Sequence, residues 1–270
     1  MKEIEFNDLK KIDLKIVEDI DRVCRENNIN YTIIGGTLIG AIRHKGFIPW
    51  DDDIDIAMLR DDYNRFIEIY SNEKGEDFEL FNNKLNKEYY YQYSRACDKN
   101  TVVVEDVMKP INGLGVFVDI FPIDYISNKN IDKKLSKINF YVKGLAAKTT
   151  KKEMTKNRLK YILKKIIYFR SYQYYFDKVQ ALSQIENNNI NECENAGVLV
   201  CGTGKKDIFP KEIFKKYVYL DFENQKLMSV ENYECFLTHR FGEYMKLPPK
   251  EEQITHHTMA SYWRNDKKGD

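Results

Sequence analysis

A chain of 270 residues with 43% hydrophobic content and a formal net charge of +1 can bury a sizeable core, which excludes a disordered or fibrous protein. No uncharged apolar run approaches the roughly 18 residues of a membrane span, and the opening MKEIEFNDLKKIDLKIVEDI resembles neither a signal nor a transit peptide, so a cytoplasmic protein is expected. Five scattered cysteines without a CxxC pair predict reduced, mostly packed thiols and exclude a disulfide framework or zinc knuckle.

In chain order, Asn7 predicts the cap of a helix reaching about residue 27, because Leu9, Ile12, Ile16, Ile20 and Val23 recur every three or four positions. That apolar stripe needs a sheet to cover. A strand at 31–34 leads into a tight turn at Gly35 and Gly36, followed by a short helix over 37–43. Free amides at a helix start attract anions, so Gly35, Gly36 and Thr37 are candidate phosphate contacts. Next come a strand at 54–58, a helix at 61–70, and strands at 79–81, 90–96 and 101–105.

Asp53 and Asp55 alternate with Ile54 and Ile56, a pattern that places both carboxylates on one strand face about 6–7 Å apart. Acidic runs usually lie in solvated loops, but this one interrupts a strand bounded by isoleucines, where a lone carboxylate is desolvated. A hard cation removes the difficulty, making Asp53 and Asp55 candidate Mg²⁺ ligands. Asp119 repeats the contradiction inside the apolar run at 116–122 and is the candidate third ligand. Asp124, beyond Pro122, reads as a turn residue.

From 131 to about 185 the pattern is helical, with a break near Thr149 and Thr150. Between Lys129 and Lys178, 15 lysines and arginines stand against 3 acids. Such a surplus suits anionic lipid, an anionic polymer or nucleic acid, or is simply a solvated lysine-rich surface. A loop at 186–195, a strand at 198–201, a turn at Gly202 and Gly204, a short helix at 211–214, a strand at 217–222 and a helix at 230–241 complete the expectation. The remainder is extended around Pro248 and Pro249.

The segments GGTLIGAIRHKGFIPWDDDIDI, YYQYSRACDKNT at 90–101, VFVDIFPID at 116–124 and YMKLPPKEEQITHH at 244–257 resemble the LicD family of the nucleotidyltransferase superfamily, which also includes the fukutin group. The resemblance implies an α+β fold, a nucleotidyltransferase-like mixed β-sheet flanked by helices. Its catalytic core is expected at 1–128, a basic helical insertion or subdomain at 129–190, and a C-terminal part completing the catalytic domain at 191–270. It further implies transfer of phosphocholine, or a related alcohol phosphate, from CDP-choline or another CDP-alcohol. The acceptor is a hydroxyl of a cell-surface glycan or its lipid-linked precursor, the ion Mg²⁺ with Mn²⁺ as the alternative, and CMP the leaving product.

Carried onto this chain, the metal acids are Asp53, Asp55 and Asp119, with Asp51 as an outer ligand. Arg43, His44 and Arg95 are candidates to offset phosphate charge, although Arg95 can equally pair with an acid. Asp119 is a candidate proton acceptor, with His257 or His44 as alternatives. Trp50 and Tyr89, Tyr90, Tyr91 and Tyr93 either pack in the core or face a quaternary ammonium. Two other functions stay open: a true nucleotidyltransferase releasing pyrophosphate, and a non-catalytic scaffold gathering anionic polymer. Peripheral contact with anionic membrane is expected of the basic stretch; nucleic acid is not, for want of a recognised motif.

Overall fold

The apolar stripe of the first helix finds its sheet. In the computed structural model, which describes residues 1–73, 75–151, 158–202, 204–255 and 259–264 and only the backbone of 158–161, α1 spans Phe6–Glu26. Ile12, Ile16, Val17, Ile20 and Val23 are buried as α1 packs on the central strands, each removing an aliphatic side chain from water at about 1.5–3 kcal/mol. The helix starts after an extended Glu5 with no side-chain cap, so Asn7 lies inside it and does not cap it.

Next in the chain come β1 (Thr32–Ile33), α2 (Gly35–Arg43), β2 (Asp55–Leu59), α3 (Arg60–Glu73), β3 (Phe78–Phe81), β4 (Ser94–Asp98), β5 (Thr101–Glu105) and β6 (Phe117–Ile126). The second half holds α4 (Ile131–Thr149), α5 (Arg158–Ile167), α6 (Tyr172–Gln184), β7 (Asn195–Gly197), β8 (Ile208–Pro210), β9 (Tyr217–Phe222), β10 (Gln225–Val230), α7 (Tyr233–Phe241) and β11 (Met259–Trp263). The main sheet has the order β1-β2-β6-β4-β3, and β7 and β8 extend it from β6. Among the described residues, only β2 and β6 of this sheet run parallel; its other pairs are antiparallel. The fold is therefore α+β, a mixed sheet flanked by helices.

On the edge of β6 away from β2, β4 pairs with residues up to Ile120 and β7 begins pairing at Asp124. Pro122 falls in the gap, where its missing N–H costs that edge no ladder bond. The strand thus continues through the proline, and Asp124 is not a turn residue. Its side chain is fully buried, accepts both Arg60 Nε at 2.8 Å and Arg60 Nη2 at 2.6 Å, and also accepts Asn187 Nδ2 at 2.7 Å.

Other boundaries differ from the local pattern for tertiary reasons. The strand expected from residue 90 begins at Ser94, and the preceding tyrosines pack their rings against one another at tilted angles. The segment 186–195 contains a 3₁₀ turn, Asn187–Glu192, and β7 comes before the expected 198–201 strand. β10 pairs with β9 through Val230, so the final helix begins only at Tyr233. β8, β10 and β11 have no counterpart in the sequence expectation.

α4 ends at Thr149, at the expected break. Leu135 and Ile138 of α4 and Val179 of α6 close over Ile126, Leu199, Val200 and Ile208. All five cysteines are free thiols. Among the described residues, no helix is long and apolar enough to cross a membrane.

Candidate active site

The junction of β1 and α2 is built around aspartate. Gly35 has φ +59°, a left-handed backbone suited to glycine, and a Cβ there would lie 3.2 Å from Asp55 Oδ2. A Cβ at Gly36 would lie 2.3 Å from Asp51 Oδ2. The glycines therefore let the chain's own carboxylates lie against the start of α2, where the helix dipole favours negative charge. The helix begins at Gly35, two residues earlier than expected. Thr37, buried, accepts the Asp55 backbone N–H through Oγ1 at 2.9 Å, so this oxygen positions the strand.

Asp55 opens β2 and stands in register with Asp119 across the parallel pair. Asp119 is in turn in register with Arg95 of β4. Registered neighbours share a face, so Asp55, Asp119 and Arg95 form a row across three adjacent strands about 4.8 Å apart. Asp53 precedes β2 by two residues and lines, with Asp119, Arg95, Glu105, Tyr91 and Tyr93, a cleft of about 300 Å³.

Arg95 is the internal cation of this cleft. Its Nε donates to Asp119 Oδ1 at 2.7 Å and its Nη1 to Glu105 Oε1 at 3.1 Å. The guanidinium carbon lies 3.7 Å from the Phe117 ring centroid and 4.0 Å from that of Tyr91. Its guanidinium is thus engaged by two carboxylates, the acid pairing that the sequence left open beside contact with a ligand's phosphate. Burial works against its charge, but Asp119 and the surrounding tyrosines keep its pKa well above the ordinary value.

For Asp119, burial pushes the carboxyl upward, Arg95 opposes this, and Asp53 and Glu105 add to the rise. Burial also pushes Cys201 up to about 12, with Asp119 and Asp55 contributing, which leaves it a neutral thiol beside the row. Arg240 of α7 faces Asp55 electrostatically and pairs with Asp207; burial lowers its pKa while Asp55 supports its charge. Glu105 and Arg240 were not among the sequence candidates. The signal for Glu105 was faint, an acid ending the valine run of β5, and for Arg240 there was none.

Arg43 and His44 sit at the opposite end of α2 from Gly35, about 12 Å along the helix axis. Arg43 Nη1 donates to the Tyr244 carbonyl at 2.9 Å and its Nε to His44 Nε2 at 2.9 Å. Burial and the Arg43 charge lower the His44 pKa. The structure thus places this pair apart from the aspartate row, at the other end of α2. His257 lies outside the described residues, and the Trp50 carbonyl accepts the Thr255 hydroxyl at 3.0 Å.

Among the described residues, no three or more His, Cys, Asp or Glu side chains are grouped so as to hold a metal ion. The donor chemistry nevertheless suits a hard cation: Asp53, Asp119 and Glu105 line one cleft around the single guanidinium of Arg95, and carboxylate oxygens are the ligands such ions prefer.

A parallel strand pair carrying facing aspartates, introduced by a glycine-led helix on a mixed sheet, is the arrangement expected from the resemblance to a nucleotidyltransferase-type domain. The family model described as LicD/FKTN/FKRP, nucleotidyltransferase domain, matches residues 28–181. Over 268 residues, 97% of this chain and 99% of the relative, the chain is 32% identical to the lipopolysaccharide cholinephosphotransferase LicD of Haemophilus influenzae. An uncharacterised protein of Rickettsia typhi is 35% identical over 86 residues, 32% of this chain and 28% of its own. One of Rickettsia prowazekii is 35% identical over 101 residues, 36% and 34% respectively. The chain belongs to the LicD family.

Proposed function

We propose that this protein transfers phosphocholine, or a related alcohol phosphate, from a CDP-alcohol to a hydroxyl of a cell-surface glycan or its lipid-linked precursor, releasing CMP. The observation that carries this reading is the register of Asp55 with Asp119, beside a cleft that Asp53 also lines. Similarity over nearly the whole chain to a lipopolysaccharide cholinephosphotransferase supports the choice of transferred group and acceptor.

Asp53, Asp55 and Asp119 would hold Mg²⁺, or Mn²⁺ in its place. Such an ion, when bound, neutralises charge on the donor's diphosphate. The acceptor oxygen attacks the phosphorus of the transferred group, the bond to the CMP oxygen breaks, and CMP leaves with the bonding electrons. Asp119 takes the hydroxyl proton; Arg95 holds this carboxylate in place, while His44 is at the far end of α2. Tyr91, Tyr93 and Phe117 also wall the cleft, with the Arg95 guanidinium lying against the rings of Tyr91 and Phe117. Tyr89 and Tyr90 are buried packing residues.

Purified protein incubated with CDP-choline, Mg²⁺ and lipopolysaccharide should release CMP and yield acceptor bearing phosphocholine. Chelation should stop the reaction and added Mg²⁺ restore it. No CMP from any of several CDP-alcohols, or pyrophosphate from CTP in its place, would overturn the proposal in favour of a true nucleotidyltransferase or a scaffold.

A further inference from the structure

The helix α5 places part of the basic stretch behind an uncovered apolar arc. Ile162, Leu163, Ile166 and Ile167 expose 45%, 56%, 66% and 45% of their surface. At about 100° per residue these four fall within roughly 140° of the helix circumference, and Lys164 and Lys165 take the opposite arc. Phe169, 67% exposed, continues the apolar surface beyond the helix. Phe140 of α4, also exposed, has its ring 5.4 Å from that of Tyr168. The Arg170 guanidinium lies 4.8 Å from the Phe169 ring and 5.7 Å from Tyr174, and the Lys178 ammonium 5.7 Å from Tyr174.

We propose that α5, with Phe140, Phe169 and Tyr174 at its margin, docks on a bilayer of anionic lipid. The aliphatic arc enters the acyl boundary while Lys164, Lys165, Arg170 and Lys178 meet the headgroups, the division of labour that interfacial helices use. Charge complementarity selects this occupant. A second copy would bring two surfaces of like charge together, whereas anionic headgroups offset the 15 lysines and arginines set against 3 acids between Lys129 and Lys178. Nucleic acid would use the cations but not the aliphatic arc.

The end of α4 is tied to the cleft. Thr150 bridges Met108, and the Lys151 N–H donates to the Val107 carbonyl at 2.9 Å; Met108 and Val107 both line the cleft. Membrane binding itself stands independently of the transfer chemistry.

The full chain, sedimented with vesicles of phosphatidylcholine alone or mixed with phosphatidylglycerol, tests this directly. Binding to the anionic vesicles should be at least about tenfold tighter and should weaken as salt rises. Ile166→Asp and, separately, the pair Lys164→Glu and Lys165→Glu should each weaken it about tenfold or more, with thermal unfolding unchanged because these side chains are exposed. Equal binding to both vesicle types, binding to neither, or insensitivity to both variants would overturn the proposal. So would tighter binding to duplex RNA than to anionic vesicles, or a dimer by light scattering that Ile166→Asp dissociates.

Discussion

Asp119 faces Asp55 on one side, in register across parallel strands, and on the other receives the Arg95 guanidinium at 2.7 Å. The same residue thus joins the aspartate row and fixes it to an internal cation. Asp119→Asn or Asp55→Asn should lower CMP release at least about a hundredfold, since each replaces by a neutral amide a carboxylate assigned to the ion, and at Asp119 also the proton acceptor. Circular dichroism should report an unchanged fold. Activity within tenfold of the parent in both variants would remove the row from the chemistry.

Arg60 and Asp124 make a second buried pair, on the opposite face of β6 because 119 and 124 differ by an odd number of residues. Arg60→Met leaves the Asp124 carboxylate buried without its cation and should cost about 3–5 kcal/mol in urea unfolding. Adding Asp124→Leu should recover part of that loss. The KM for the CDP-alcohol should stay near the parent value in whatever fraction remains folded.

Gly40 lies within α2, where alanine ordinarily stabilises a helix by about 1 kcal/mol. A Cβ there would lie 2.3 Å from the Gly46 carbonyl oxygen and 3.3 Å from the Ile48 nitrogen, both backbone atoms. Gly40→Ala should therefore destabilise by about 1–3 kcal/mol, the reverse of the usual sign. The midpoint of urea unfolding reads it.

Glu186 ties the end of the helical stretch back to β6. Its carboxylate accepts Lys134 Nζ at 2.6 Å, the Ser127 N–H at 3.0 Å and the Ser127 hydroxyl at 2.9 Å. Burial pushes its pKa up, but Lys134 and Ser127 outweigh that and hold it below the ordinary value. A depressed carboxylate adds stability that is present above the unfolded glutamate pKa, about 4.3, and lost as pH falls through the lower folded value. Glu186→Gln should thus be less stable than the parent at pH 7, and the gap should close in acid; a gap independent of pH would contradict this role.

Much of the site could be read locally. The alternation of Asp53 and Asp55 with isoleucines and the acid within the apolar run at Asp119 conflict with ordinary strand composition, and the glycine pair at Gly35 and Gly36 marks the turn beside them. Partners were far less legible. Whether Arg95 meets a ligand or an acid is open in the sequence and takes the pairing of β4 with β6 to show its acid partner, while Asp124 reads as a turn residue until β7 extends the strand past Pro122. Arg43 and His44 adjoin the motif in sequence, yet α2 carries them to its far end.

The sequence by itself determined the chemical inventory: carboxylates confined to apolar strands, a glycine-led helix, and a basic helical stretch. These are products of residue type and short periodicity, which neighbours in the chain settle among themselves. Only the tertiary structure decided which charge meets which, because register across β2, β6 and β4 is set by the burial of whole sheet faces and brings together residues that no local pattern connects.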